Sequence, residues 1–146
     1  MGRLTKTAIL AGCATALAAL PATARASMPP ASFDKDFTLA AGRTHHSFVI
    51  HTTVPGTIAA VLRYSDITNP RARLQVTLRK AGSMRTVTLI ETPGSLPSCQ
   101  GAAGSIYCSG RELKTAPGTY YLTVWKFSNP AAGLELKASW PAEGCN

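Results

Sequence analysis

From about residue 33 onward, apolar residues recur at every second position. Leu74, Val76 and Leu78 alternate with Arg73, Gln75, Thr77 and Arg79, and Leu134, Leu136, Ala138 and Trp140 alternate with Glu135, Lys137 and Ser139. Successive side chains of a strand point to opposite faces, so each segment is expected to turn one face to a core and the other to water. Strands are predicted over 33–39, 46–53, 58–64, 73–79, 85–91, 118–127 and 133–140. Turn residues separate the runs at Pro55-Gly56, Asn69-Pro70, Ala81-Gly82, Pro93-Gly94, Pro117-Gly118 and Asn129-Pro130. Together these predict an all-β fold, a jelly-roll-like β-sandwich of about seven or eight antiparallel strands. No stretch reads as a long amphipathic helix, and there is no internal repeat.

The N-terminal segment has a different pattern. Arg3 and Lys6 precede an apolar stretch from Ala8 to Leu20, and Pro21 leads to Ala24-Arg25-Ala26. Charged, apolar and small-x-small regions in that order predict a secretory signal peptide over 1–26. The stretch is too short for a membrane-spanning helix, which needs about 20 apolar residues. Leu10-Ala11-Gly12-Cys13 also matches a lipobox, which would anchor the chain by a lipid on Cys13, but the apolar run continues beyond that cysteine. The expected mature protein is therefore a single β-sandwich domain over 27–146, secreted or periplasmic and not membrane-spanning.

Charge changes this picture little. The chain carries 15 Lys and Arg against 7 Asp and Glu, a formal net charge of +8. Three of those cations, Arg3, Lys6 and Arg25, lie in the signal segment, so the domain is only moderately basic.

Cysteine usage agrees with export. Cys99 and Cys108 lie in a Gly/Ser-rich stretch and are expected to close a short loop, worth about 2.5 to 3 kcal/mol in the chain-entropy model. Three cysteines in the mature chain allow three single bridges, and pairing Cys99 with Cys108 leaves Cys145 for a partner elsewhere.

Cys99, Tyr107-Cys108, the run Ala116-Pro117-Gly118-Thr119-Tyr120-Tyr121-Leu122-Thr123-Val124 and the run Gly133-Leu134-Glu135-Leu136-Lys137-Ala138-Ser139-Trp140 resemble the bacterial pre-peptidase C-terminal domain. That family consists of β-sandwiches appended to secreted proteases and other exported enzymes, with a Cys pair ahead of a Gly-Thr-Tyr-Tyr strand. The resemblance extends to 37–42, where the family has an apolar strand ending in Ala-Gly, and covers most of 33–140. It implies a β-sandwich and, as in some related modules, attachment to a polymer through surface aromatics. Two features depart from the family. The domain is expected to be free-standing rather than beside a catalytic domain. Arg71-Ala72-Arg73-Leu74 also occupies the place of an acidic Asp-x-Asp-Leu, so the hard oxygen ligands that calcium requires are missing there.

Candidate chemistry is sparse. There is no Gly-x-Ser-x-Gly elbow, and the Ser and Cys positions lack a nearby His and acid in sequence, so no catalytic residue, enzyme activity or cofactor is expected. On a strand, His45 and His51 would share a face about 20 Å apart, with His46 on the other. Solvated or hydrogen-bonded imidazoles are expected there, with no metal site.

Two surfaces remain as ligand-binding candidates. Arg71, Arg73 and Arg79, with Lys80 and Arg85 at the adjoining hairpin, form a basic row. Such a row attracts an anionic polymer, or simply keeps a sheet soluble and its edge unpaired. No aromatic residues interleave with these arginines, so nucleic acid is not an expected partner. If Tyr120, Leu122 and Val124 face the core, then Tyr121, Thr123, Trp125 and Phe127 face outward as a row of platforms. If the strand is covered on both sides, the row is simply core. The function expected from these features is an exported, non-enzymatic module binding an extracellular or envelope polymer, or a secreted protein, through Tyr121, Trp125, Phe127, Arg71, Arg73 and Arg79. The alternative is a secreted regulator, such as a protease inhibitor or chaperone, acting by strand addition or through the 98–109 loop.

Overall fold

The computed structural model describes residues 30–65, 72–92, 99–102 and 104–142, which form nine strands and no helix. The strands are β1 (Ala31–Leu39), β2 (Thr44–Thr52), β3 (Gly56–Ser65), β4 (Leu74–Lys80), β5 (Thr86–Thr92), β6 (Cys99–Ala102), β7 (Ser105–Thr115), β8 (Gly118–Lys126) and β9 (Ala132–Trp140). The signal segment, Cys13, Arg71, Cys145 and the turns at Asn69-Pro70 and Pro93-Gly94 lie outside the described residues. Among the described residues no helix is long and apolar enough to cross a membrane.

The strands form two antiparallel sheets. The first has the order β1-β9-β3-β7-β6 and the second the order β2-β8-β4-β5. With the short β6 set aside, the chain crosses between sheets as a jelly roll does, because β1, β3, β7 and β9 lie in one layer and β2, β4, β5 and β8 in the other. The alternating strands explain why the two layers pack. Ile58, Leu62 and Leu136 from the first sheet and Ile50, Leu74, Val76, Ile90, Leu122 and Val124 from the second are fully buried between them. Each such side chain removed from water contributes about 1.5 to 3 kcal/mol.

Aromatic rings fill the side of the sandwich where β1 and β2 lie. Phe33 and Phe37 of β1 stand 5.1 and 5.3 Å from the Phe48 ring of β2, and Trp140 of β9 lies 5.8 Å from Phe33. The opposite side closes by direct backbone approach. β5 carries a bulge at Leu89, since Val76 pairs with Ile90 and Thr77 with Thr88. The Leu89 carbonyl passes over Gly110 of β7 so closely that a Cβ there would overlap it.

The seven predicted strands correspond, within one or two residues at their ends, to β1–β5, β8 and β9. The segment expected as a Cys-bounded loop over 98–109 is different. Ser98 and Ala103 lie outside the described residues, and 99–102 and 105–109 belong to the antiparallel strands β6 and β7, with Cys99 directly opposite Cys108 and the two joined by a disulfide. β7 escaped the alternation because its inward positions, opposite Tyr64, Leu62, Ala60 and Ile58 of β3, are Ile106, Cys108, Gly110 and Glu112. Half of that inward row is a glycine and a carboxylate, so no apolar period is visible in the sequence.

Lys126, the last residue of β8, keeps the inward parity of Leu122 and Val124 and is only 1% exposed. Its Nζ donates to the backbone carbonyls of Gly42, Ser128 and, at 3.4 Å, Asn129. A buried ammonium group is costly unless its donors are satisfied. Here it ties the β1–β2 turn to the β8–β9 loop, which are also joined by the Gly42 N–H donating to the Asn129 carbonyl at 2.6 Å.

Candidate binding face on the second sheet

β8 lies between β2 and β4, and its register sets three rows of side chains on the outer face of the sheet. His45, Trp125 and Gln75 stand abreast, then Ser47, Thr123 and Thr77, then Val49, Tyr121 and Arg79. β5 extends the rows with Glu91, Thr88 and Thr86. Only the inner face of this sheet is covered by the other layer. The Tyr121, Thr123, Trp125 and Phe127 row therefore faces outward, with Trp125 36% and Phe127 38% exposed.

The rows enclose a shallow groove of about 580 Å³, lined by His45 and Ser47 of β2, Tyr121, Thr123 and Trp125 of β8, Gln75, Thr77 and Arg79 of β4, Thr86 of β5, and Met84 from the β4–β5 turn. Its aromatic groups are held in place. The Trp125 indole Nε1 donates to the Thr77 hydroxyl at 3.0 Å, reaching diagonally across the strand pair. The His45 ring stacks against the same indole, with centroids 4.6 Å apart and planes inclined by 32°. Ser47 and Thr123 share a hydrogen bond of 2.8 Å beneath. The Arg79 guanidinium lies 5.6 Å from the centre of the Tyr121 ring, within cation–π range. Rings fixed in this way lose little side-chain entropy on meeting a ligand.

Of the six predicted ligand residues, Tyr121, Trp125 and Arg79 come together in the groove. Phe127 and Arg73 adjoin each other beyond its Trp125 end, where the Phe127 N–H donates to the Arg73 carbonyl at 2.9 Å. Arg71 lies outside the described residues. Lys80 and Arg85 turn away, Lys80 to the Tyr120 ring at 5.9 Å and Arg85 toward Glu112 at 3.9 Å. His45 and Met84 also line the groove, though neither is among the residues expected there. No sequence signal pairs β2 with β8, and that pairing is what sets His45 beside Trp125. Met84, 98% exposed at a turn, is a large apolar residue with no period to reveal its position.

The three histidines are dispersed. His46 packs on the other side of β2 against Phe48 and Phe37, at 4.7 and 5.4 Å, and His51 is hydrogen-bonded to the Thr119 hydroxyl at 3.1 Å. Among the described residues no group of three or more His, Cys, Asp or Glu side chains could hold a metal ion.

The outer face of the first sheet has a contrasting character. Glu135 of β9 pairs with Arg63 of β3 and, at 3.0 Å, with Lys137, which also reaches Asp34 of β1 at 3.2 Å. A hydrogen bond with Tyr107, followed by the charge of Glu135, raises the Arg63 pKa. Hydrogen bonds to Glu135 and Asp34 raise that of Lys137. The charges on this face neutralise one another.

These features define a jelly-roll β-sandwich with one charge-balanced face and one open face of aromatic and hydroxyl groups. No family model matches the chain, and no curated protein matches it either. Among solved structures it is similar to the crystal structure of the Yersinia pseudotuberculosis-derived mitogen, with 15% identity, a TM-score of 0.49, and coverage of 79% of this chain and 90% of that one.

Proposed function

We propose that this protein is an exported, non-enzymatic binding module that holds an extracellular or envelope polymer on the outer face of its second sheet. The observation that carries the reading is the Trp125 indole, exposed yet fixed by the Thr77 hydroxyl and the His45 ring, in one groove with Tyr121. A flat ring held against a sheet offers a large contact area to the apolar face of a sugar or to an extended chain, and the surrounding hydroxyls offer hydrogen bonds. The Cys99–Cys108 disulfide is compatible with a periplasmic or extracellular setting. The resemblance to pre-peptidase C-terminal domains, which accompany exported enzymes, supports the same reading.

Retention of the purified protein on insoluble polysaccharides and cell envelopes, at low and high salt, tests it. Retention that resists salt and is lost in Trp125→Ala supports an aromatic platform. An absence of retention on every polymer contradicts it.

A second reading rests on β6. This strand is at the edge of its sheet, and Gln100 and Gly101 are exposed along it. A protein partner adding a strand at that edge would make the protein a secreted regulator. Such binding would survive Trp125→Ala and be lost when the β6–β7 hairpin is reduced.

A further inference from the structure

We infer that the polymer held on this face is an acidic glycan, a chain of sugars bearing ring carboxylates, and that Arg79 is the carboxylate receptor beside the Tyr121 platform. The inference rests on the polymer-binding reading above and adds the class of ligand.

The placement of an unpaired cation beside an aromatic ring in the groove carries it. Arg63 and Lys137 are paired with carboxylates on the first sheet, Arg85 lies near Glu112, and Lys126 is enclosed by backbone carbonyls. Among the described residues Arg79 has no carboxylate partner, which it shares with Arg43, Arg73 and Arg111; it differs from them in lying beside the Tyr121 ring in a groove that no carboxylate lines. Glu91, the acidic residue of the outward β5 row, stands opposite Gln75, whereas Arg79 stands opposite Thr86. Five residues of strand separate those two positions, about 16 Å, so Glu91 is remote from the guanidinium.

An unpaired guanidinium beside an aromatic ring suits a ligand that is both ring-shaped and anionic. The planar fork of arginine matches a carboxylate through two parallel hydrogen bonds. A sugar ring lying on Tyr121 would bring a ring carboxylate to Arg79 and leave its hydroxyls to Thr86 and Thr77. Tyr121 and Trp125 are four residues apart on one strand, about 13 Å. That distance exceeds one sugar ring, so the face would engage consecutive sugars of a chain.

Polygalacturonate and its fully methyl-esterified form present the same sugars with and without charge. Affinity electrophoresis or calorimetry at physiological salt should show the free acid binding at least tenfold more tightly than the ester. Arg79→Gln should reduce that ratio to about one. Arg111→Gln, which removes the same charge from the outer side of β7, should leave the ratio unchanged. Dextran sulfate, an anionic glycan without carboxylates, should bind more weakly than polygalacturonate.

Equal binding of acid and ester would overturn carboxylate recognition, as would dextran sulfate binding as tightly as polygalacturonate. An equal loss in Arg111→Gln would overturn the assignment to Arg79. Binding to neutral polymers that depends on Trp125 but is indifferent to charge would refute this inference and leave the polymer-binding reading standing. No binding to any glycan, charged or neutral, would refute both.

Discussion

The indole Nε1 of Trp125 donates a 3.0 Å hydrogen bond to the hydroxyl of Thr77 on the neighbouring strand. The bond lays the ring across the sheet and keeps it from swinging into solvent. Thr77→Val keeps the shape of the side chain and removes the acceptor. It should cost about 0.5 to 1.5 kcal/mol of stability and weaken polymer retention severalfold. Chemical denaturation and binding isotherms on the same preparations check the two effects together.

Gly110 is the point where the two sheets meet by backbone contact. A Cβ at this position would overlap the Leu89 carbonyl and crowd Ile90. Backbone groups cannot rotate aside as a flexible side chain would, so Gly110→Ala should destabilise the fold by about 1 to 3 kcal/mol or more. The lowered midpoint should appear in thermal unfolding, whereas Gly133→Ala, which meets no atom within 4 Å, should cost far less.

Lys126 predicts an effect opposite to that of an ordinary surface lysine. Lys126→Met preserves much of the packing but leaves the carbonyls of Gly42 and Ser128 without their donor. A fully buried orphaned polar group costs about 1 to 3 kcal/mol, and these carbonyls are part-buried, so a loss of about 1 to 2 kcal/mol is expected in urea unfolding. Lys35→Met, at an exposed position, serves as the comparison and should change stability by less than about 0.5 kcal/mol.

The Cys99–Cys108 disulfide staples the short edge strand β6 to β7. Reduction should lower stability by about 2.5 to 3 kcal/mol in the chain-entropy model. Polymer retention should persist in the reduced protein, because the groove lies on the other sheet. Loss of retention on reduction would instead implicate the β6–β7 hairpin.

The fold was legible in the sequence wherever a strand has one wet face. β4 and β9 alternate cleanly because Leu74, Val76 and Leu78, and likewise Leu134, Leu136 and Ala138, are buried while Gln75, Arg79, Glu135 and Lys137 reach solvent. β7 was not legible, since Gly110 is required by the approach of β5 and Glu112 lies near Arg85 at the end of the sandwich. Both causes are tertiary, and neither leaves a local period. The candidate site was legible in part for the same reason. Parity along one strand placed Tyr121, Thr123 and Trp125 on one face, but only the pairing of β8 with β2 and β4 brings His45, Ser47 and Thr77 beside them. Lys126 was not legible as a core residue, because the carbonyls that make its burial beside Leu122 and Val124 tolerable come from two loops.

The central claim is that the second sheet, not the first, presents the binding face. Its most direct test compares Trp125→Ala with Tyr107→Ala in one retention assay on insoluble polysaccharide, because Tyr107 is an exposed aromatic of similar accessibility on the opposite sheet. Loss of one stacking ring should cost about 1 to 3 kcal/mol, by analogy with stacked bases. Retention by Trp125→Ala should therefore fall at least fivefold while Tyr107→Ala binds as the wild type does. Loss in Tyr107→Ala with Trp125→Ala unaffected would contradict the account and move the binding face to the first sheet.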